Sequence, residues 1–168
     1  MPASTQLIKE LQNHNYDAFD IVYDEYHKLV FYVIYSIAKD VETTKELVQD
    51  TFLKMWNNIH SFQLNTNFKA WLLTIAKNSA RDYLKTRKQH DLLEGDVISN
   101  QEHMSTFSEF NMDARQVLSD FEYNVITLTL IYNLKRREVA DVLERPVGTI
   151  SRVYSEAMHK LKKFYEYK

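Results

Sequence analysis

No glycine or proline occurs between residues 3 and 94 of this 168-residue chain. The whole sequence contains only Pro2, Gly95, Pro146 and Gly148 of these two residue types. β-Sandwiches and barrels need many tight turns, and such turns depend heavily on glycine and proline. Glycine-rich phosphate loops and dinucleotide fingerprints also need several glycines close together. The sequence therefore predicts an all-α fold that lacks a phosphate-binding loop of these kinds.

The composition argues against several other classes of site. The chain has no cysteine, which excludes disulfides and thiolate zinc sites. Its histidines show no HxxxH or HExxH spacing, and no serine elbow or Walker motif is present. No run of about 18 apolar residues occurs, and the N-terminal segment lacks the apolar core of a signal peptide. We therefore predict a cytoplasmic protein that spans no membrane, is not an enzyme, and takes no metal, cofactor or small-molecule substrate.

Apolar residues recur at helical spacing in the first half of the chain. Gaps of three and four predict helices over residues 16–38, 44–58 and 68–88. Residues 89–111 show no sustained period, carry several acids and include Gly95, which is typical of a flexible linker. The sequence thus predicts two small helical domains, residues 1–88 and 112–168, joined by an acidic linker.

The second domain carries the pattern of a helix-turn-helix. Ser119 and Glu122 form a capping-box signature that opens a helix, and Asn133 can end that helix in a left-handed conformation. A short helix over residues 135–143 and a longer one from Thr149 flank the next break. This pattern predicts insertion of the last helix into the DNA major groove, although an ordinary helical hairpin with a basic face also fits.

Basic residues concentrate in two parts of a chain whose formal net charge is −2. Residues 69–88 carry six Lys or Arg against one acid, and residues 134–163 carry eight against four. Residues 91–112 have five acids and no Lys or Arg. Two basic islands around an acidic strip are typical of a nucleic-acid partner contacted at two places.

A row of cations shares one side of the third predicted helix, namely Lys77, Arg81, Lys85 and Lys88. Such a row suits nucleic-acid phosphates, and the nearby aromatic rings of Phe62 and Trp71 are able to stack on unpaired bases. A solvated helix face and an aromatic core explain the same residues equally well.

The second predicted helix carries a polar row that includes one apolar residue, namely Glu46, Gln49, Asp50 and Leu53. Their spacing places them on one helix face, which suits a helical partner. The pattern by itself favours an ordinary solvent-exposed face.

Two parts of the sequence resemble a single family. The segments TTKELVQDTFLKMWNNIHSF and NFKAWLLTIAKNSARDYLK resemble region 2 of the extracytoplasmic-function (ECF) sigma factors of bacterial RNA polymerase, and EVADVLERPVGTISRVYSEAMHKLKK resembles their region 4. The resemblance covers about residues 10–88 and 112–165 in the family's order. It implies a two-domain subunit that binds core polymerase and directs transcription initiation at specific promoters.

The resemblance also implies roles for individual residues. The segment that docks on the β′ clamp helices of polymerase corresponds to Glu46, Gln49, Asp50, Phe52 and Leu53. The Ser61–Asn67 loop corresponds to the segment that captures a flipped −10 base, and the −10 recognition helix follows it. The −10 contacts correspond to Phe62, Asn67, Trp71, Lys77, Asn78, Arg81 and Lys85. The −35 contacts correspond to Arg136, Arg137, Gly148, Thr149, Ser151, Arg152 and Ser155. Further partners implied by the family are the polymerase β flap and an anti-sigma factor.

The last helix departs from the family's usual pattern. Family members often carry glycine where Glu144 stands, lysine where Ser151 stands and a basic residue where Glu156 stands. Fewer cations on a helix that faces DNA predict a weaker grip on phosphates. A helix-turn-helix regulator that is not a polymerase subunit is the alternative interpretation, and it would bind its site without polymerase.

Overall fold

The computed structural model describes residues 3–91 and 114–166, and this part of the chain is helical and contains no strand. The described residues form two compact units, one before residue 92 and one after residue 113. The predicted all-α fold with two helical parts is therefore confirmed. Residues 92–111 of the predicted linker lie outside the described residues, so the domain boundaries at 88 and 112 stay predictions.

The first unit contains α1 (Thr5–Gln12), α2 (Tyr16–Ala38), α3 (Val41–Asn58), a 3-10 turn (Ile59–Ser61) and α4 (Phe68–Asp91). The periodicity correctly predicted the three long helices. Helix α3 begins a few residues before the predicted start at 44, because the side chain of Asp40 caps its first turn by accepting a hydrogen bond from the Thr43 N–H at 2.7 Å. Helix α4 continues past 89, where the linker was predicted to begin.

Helix α1 was not predicted from the sequence. The Ser4 hydroxyl caps it by accepting a hydrogen bond from the Leu7 N–H at 3.1 Å. Ile8 and Leu11, three residues apart, are buried against the rest of the unit. A cap and a single apolar pair are a weak signal in a helix of eight residues, since most of its stability comes from tertiary packing.

The first unit reverses direction without glycine. His14, Lys39 and Asn65 adopt left-handed backbone angles, with φ of 54°, 58° and 66°, at or near the ends of helical segments. A left-handed conformation costs a residue with a Cβ roughly 1–2 kcal/mol. The packing that follows each turn offsets that cost.

Helix α2 is the centre of the first unit, because it contacts α1, α3 and α4. Its buried residues include Val22, Val30, Val33 and Ile34, and the facing helices bury Phe52 and Met55 of α3 and Leu72 of α4. Helices α3 and α4 also pack on each other. Each of these two helices therefore has a buried side and a side left for solvent or a partner.

The second unit contains helical residues 114–117, then α5 (Asp120–Ile126), which continues as a π-helical turn (Thr127–Ile131), then α6 (Arg136–Leu143) and α7 (Val147–Glu166). Helices α6 and α7 contact each other across a three-residue turn, which is the arrangement predicted for a helix-turn-helix. Helix α7 begins at Val147, slightly before the predicted Thr149. The π-helical turn had no signal in the sequence.

The helix ends of the second unit follow the sequence closely. Ser119 and Glu122 form the predicted capping box, and Asn133 has the predicted left-handed conformation with φ of 51°. Glu144 also lies in the left-handed region, with φ of 55°, at the turn where the family often has glycine. Glu144 thus adopts a backbone conformation that glycine adopts most easily.

A charged pair ties α5 to α7 in the second unit. The Lys160 ammonium donates to both carboxylate oxygens of Glu122 at 2.8 and 2.9 Å, and the Ser119 N–H donates to one of them at 2.9 Å. Burial acts to raise the pKa of Glu122, but the hydrogen bonds from Lys160 and Ser119 outweigh it and lower the pKa below its ordinary value. The native unit therefore favours the ionised carboxylate.

We expect Lys160→Met to destabilise the second unit by about 1 kcal/mol near pH 7, since the nearly buried Glu122 carboxylate loses its cation while Lys160 itself is half exposed. Because the native pKa of Glu122 is lowered, its contribution is present above the unfolded-state pKa and disappears as the pH falls through the native value. The difference between variant and wild type should therefore shrink below about pH 4.

The measurement is urea unfolding followed by the backbone amide NMR signals of second-unit residues such as Val153 and Leu161, because tyrosines lie in both units. Both tryptophans, Trp56 and Trp71, lie in the first unit, so tryptophan fluorescence gives an internal control that should not change. A destabilisation that persists unchanged at pH 3 would contradict the assigned role of the carboxylate.

Candidate nucleic-acid and partner interfaces

Helix α3 presents a mixed polar and apolar face to solvent. Glu46 and Gln49 are exposed, Asp50 is half-exposed, and Leu53 keeps 60% of its surface accessible. The four residues share one face through their helical spacing. A large apolar side chain surrounded by polar groups suits a protein partner better than water alone.

The Asp50 carboxylate is held in place by two side chains. The Lys54 ammonium lies 2.7 Å from it, and the Ser79 hydroxyl of α4 lies 3.4 Å from it. Lys54 also donates to Ser79 at 3.0 Å, which closes a small network between α3 and α4. The sequence contained a sign of Lys54, because it stands four residues after Asp50. It contained no sign that Ser79 would meet either of them.

Phe52 does not belong to this exposed face. Its side chain is 2% exposed and packs edge-on and tilted against Phe19 and Tyr23 of α2, with ring centroids 6.2 and 4.8 Å away. A side chain enclosed in this way cannot contact a partner directly. The structure therefore corrects the expectation that Phe52 binds polymerase, and places it in the core beneath the α3 face.

An aromatic cluster lies where the Ser61–Asn67 loop meets α4. Phe62 packs at right angles on Phe68 with centroids 5.5 Å apart, and both rings lie within 6 Å of the Trp71 ring. Phe62 is 5% exposed, whereas Trp71 is half-buried. Phe62 is thus a core residue, and the expectation that it contacts DNA is corrected. Trp71 keeps an accessible part.

The loop between the 3-10 turn and α4 is held by its own polar groups. The Asn67 side-chain oxygen accepts a hydrogen bond from the Ala70 N–H at 3.0 Å and so caps α4. The Thr66 hydroxyl donates to the Gln63 carbonyl at 2.7 Å. Asn67, expected to contact DNA, therefore also fixes the start of the helix that follows it.

The expected −10 residues of α4 follow a four-residue spacing. Asn78 and Lys85 are exposed, while Lys77 and Arg81 are half-buried. The spacing of residues 77, 81 and 85 keeps the three cations on one side of the helix. The side chain of Lys88, which continues the row in the sequence, lies outside the described residues.

The second unit gathers its expected DNA contacts on α6 and the first half of α7. Arg136 and Arg137 are exposed, and the Arg136 guanidinium lies 4.9 Å from the centre of the Tyr154 ring of α7. A Cβ placed on Gly148 would meet nothing within 4 Å, so the start of α7 has open space beside it. That space suits the close approach of another backbone.

The Arg152 side chain forms an ion pair within α7. Its guanidinium donates to the Glu156 carboxylate at 2.7 Å, and both side chains are largely exposed. The neighbouring Ser155 hydroxyl donates back to the Ser151 carbonyl, and Thr149 is half-buried. An exposed pair of this kind contributes only about 0.3–0.5 kcal/mol, so Arg152 is easily released to another anion.

Known proteins resemble the chain over both units. A family model described as sigma-70 region 2 matches residues 22–90, which include most of α2 and all of α3. The ECF RNA polymerase sigma factor SigW of Bacillus subtilis (strain 168) is 26% identical over 162 residues, a match that covers 85% of this chain and 86% of SigW. SigM of the same organism is 24% identical over 154 residues, covering 87% and 94%. The chain is therefore similar to ECF RNA polymerase sigma factors over most of its length.

The fold of this chain has a solved counterpart. The sigma factor RpoE, crystallised with the anti-sigma factor NepR from Bartonella quintana, aligns with a TM-score of 0.62 and 22% identity. The alignment covers 88% of this chain and 96% of RpoE. The two chains therefore share their helical architecture.

The described residues offer neither a membrane-spanning helix nor a metal-binding cluster. Within them, no helix has the length and apolar character needed to cross a membrane. Over the same two ranges, no group of three or more His, Asp or Glu residues is arranged to hold a metal ion.

The burial of Phe62 predicts that Phe62→Ala destabilises the first unit by about 3 kcal/mol, because it leaves a cavity against Phe68 and Trp71. Chemical unfolding followed by tryptophan fluorescence measures the loss. Leu53→Ala, which removes an exposed apolar side chain, is the matched control and should change stability by less than about 0.5 kcal/mol. Equal effects of the two variants would contradict the core position of Phe62.

Proposed function

We propose that this chain binds core RNA polymerase in the cytoplasm and directs initiation at specific promoters, using the first unit at the −10 element and the second at the −35 element. Support comes from the region 2 match to residues 22–90, which lies wholly in the first unit. A regulator that used only the helix-turn-helix would have no need of that unit. In this proposal the chain contributes binding and positioning but catalyses no reaction.

The proposed polymerase contact is the α3 face formed by Glu46, Gln49, Asp50 and Leu53. The hydrogen bonds among Lys54, Ser79 and Asp50 tie the Asp50 carboxylate to α4. A pre-positioned charge loses little conformational entropy on binding. Leu53 supplies the apolar centre, and the surrounding polar groups give the contact its specificity.

The proposed −10 contact combines the Ser61–Asn67 loop with Trp71 and the polar side of α4. Opening a duplex costs unpairing and unstacking energy, and a site that holds an extruded base offsets part of that cost. The accessible part of Trp71 offers a stacking surface, while Asn78 offers an amide for hydrogen bonds to a base edge. Lys77, Arg81 and Lys85 supply positive charge for the backbone.

The proposed −35 contact is the start of α7, supported by Arg136 and Arg137 of α6. The first half of α7 carries small residues, namely Gly148, Thr149, Ser151 and Ser155. Their size allows the helix to approach the bases closely. The chain has a net charge of −2, so each DNA-binding unit alone should bind DNA weakly. Attachment of both units to one polymerase raises their effective concentration at the promoter, so promoter binding depends on polymerase.

Two further partners belong to this proposal. The β flap of polymerase would hold the second unit near the −35 element. An anti-sigma factor would compete for the surfaces that polymerase uses, by analogy with RpoE, which was crystallised with NepR.

The deciding experiment adds the purified protein to purified core polymerase and maps transcript 5′ ends on genomic DNA of the host. We expect new starts that share −10 and −35 sequences and disappear when either component is omitted. Tight, sequence-specific binding by the isolated protein at about 150 mM salt, without new starts, would support the alternative regulator.

Asp50→Arg should abolish co-purification with core polymerase while leaving helicity unchanged, because it reverses a charge beside the apolar centre of the proposed contact. Glu156→Arg is the matched control, since it also replaces an exposed acid that pairs with a cation four residues away along its helix. Analytical size exclusion with core polymerase and no DNA is the measurement. Equal retention of both variants would show that the α3 face does not bind polymerase.

Arg152→Ala should lower the affinity of the holoenzyme for promoter DNA about tenfold, and Glu156→Gln should raise it about twofold while steepening its salt dependence. Arg152→Ala removes a cation and so weakens DNA binding. Glu156→Gln frees the Arg152 cation from its carboxylate partner and so strengthens DNA binding. Both effects should vanish on promoters whose −35 element is scrambled. Lys162→Ala, at the far end of α7, is the control and should change little.

A further inference from the structure

Helix α1 contacts residues 59–65, which comprise the 3-10 turn and the first part of the Ser61–Asn67 loop. The Gln12 side-chain amide donates one hydrogen bond to the Ile59 carbonyl at 3.2 Å and another to the Phe62 carbonyl at 3.0 Å. Since the amide has two N–H groups, these bonds use both of its donors. Gln12 therefore bridges the beginning of the 3-10 turn and the residue that follows its end.

A second contact reaches the far side of the loop. The Thr5 hydroxyl donates to the Asn65 side-chain oxygen at 3.3 Å, at the residue whose backbone is left-handed. Beyond the end of α1, the Nε2 atoms of His14 and His60 lie 3.0 Å apart in a hydrogen bond. Helix α1 and the residues just after it thus meet residues 59–65 through Gln12, Thr5 and His14.

These contacts differ from ordinary core packing. The burial of Ile8 and Leu11 already attaches α1 to the unit. The polar contacts bury little apolar surface, and instead fix the position of residues 59–65 relative to α1. The Phe62 side chain is buried in the core, so the direction in which the rest of the loop leaves Phe62 depends on the backbone of that residue. Gln12 holds the carbonyl of that residue.

We propose that Gln12 and Thr5 are positioning residues for −10 base capture, with α1 acting as the support that sets the loop's geometry before DNA arrives. The proposal rests on the proposed function of the Ser61–Asn67 loop. A loop already in its binding conformation does not lose conformational entropy when the base enters. Loss of the support should therefore weaken single-strand capture while leaving polymerase docking and −35 binding intact.

The experiment measures binding of holoenzyme to a fluorescein-labelled, 12-nucleotide non-template strand that spans the −10 element of a promoter mapped with this protein. Gln12→Met keeps the side-chain length but removes both donors, and we expect about fivefold to tenfold weaker binding. Gln6→Met is the matched control, because Gln6 lies on the same helix and its amide donates to Glu10 within α1. It should bind as wild type does.

Three readouts separate positioning from a general loss of structure. Core-polymerase affinity and binding to duplex DNA that carries only the −35 element should be unchanged in Gln12→Met. Permanganate reactivity of promoter thymines should fall. Thr5→Val, which removes the contact at Asn65 and leaves Gln12 in place, should weaken oligonucleotide binding about twofold, and it carries the test if Gln12→Met loses helicity.

The outcomes distinguish this inference from the proposed function. If wild-type holoenzyme binds the oligonucleotide better than core polymerase but folded Gln12→Met binds it equally well, the positioning role is overturned and the function stands. If wild-type holoenzyme shows no preference over core polymerase, base capture by the loop fails, and the inference fails with it. A parallel loss of polymerase affinity in Gln12→Met would also overturn the inference, because it would indicate general structural damage.

Discussion

The surfaces of the first unit depend on the burial of α2. Because this helix contacts α1, α3 and α4, its neighbours share one core and must turn their remaining sides outward. The exposed Leu53 face of α3 and the basic side of α4 are the result. Phe52 and Leu72, buried on the inner sides of the same two helices, fix which residues are left to meet a partner. Exposure in this unit is a consequence of apolar packing.

Polar contacts refine the positions that packing leaves open. Lys54 and Ser79 orient the Asp50 carboxylate, Asn67 fixes the start of α4, and Gln12 fixes the backbone at Phe62. Each such contact is individually modest, at about 1 kcal/mol. In the proposed function their value is geometric, because promoter opening would need a base pocket and a polymerase contact that are formed before DNA is melted.

The charge distribution explains why both units are needed. The chain is slightly acidic overall, and Arg152, on the helix proposed to face DNA, is paired with Glu156. In the proposed function each unit binds DNA weakly, and the promoter complex depends on attachment to polymerase, where two weak contacts act together. The same weakness limits unproductive binding to DNA by the free protein.

The sequence by itself determined the all-α class, the three long helices, the capping box at Ser119 and the left-handed turn at Asn133, because these follow from local periodicity and local hydrogen bonding. It also carried the motifs of the ECF family. Only the tertiary structure decided that Phe62 is enclosed, since an aromatic residue in a loop fits a core or a surface equally well until its neighbours are known. Helix α1 and its bonds to residues 59–65 likewise join positions about 50 apart, and no local pattern connects residues at that separation.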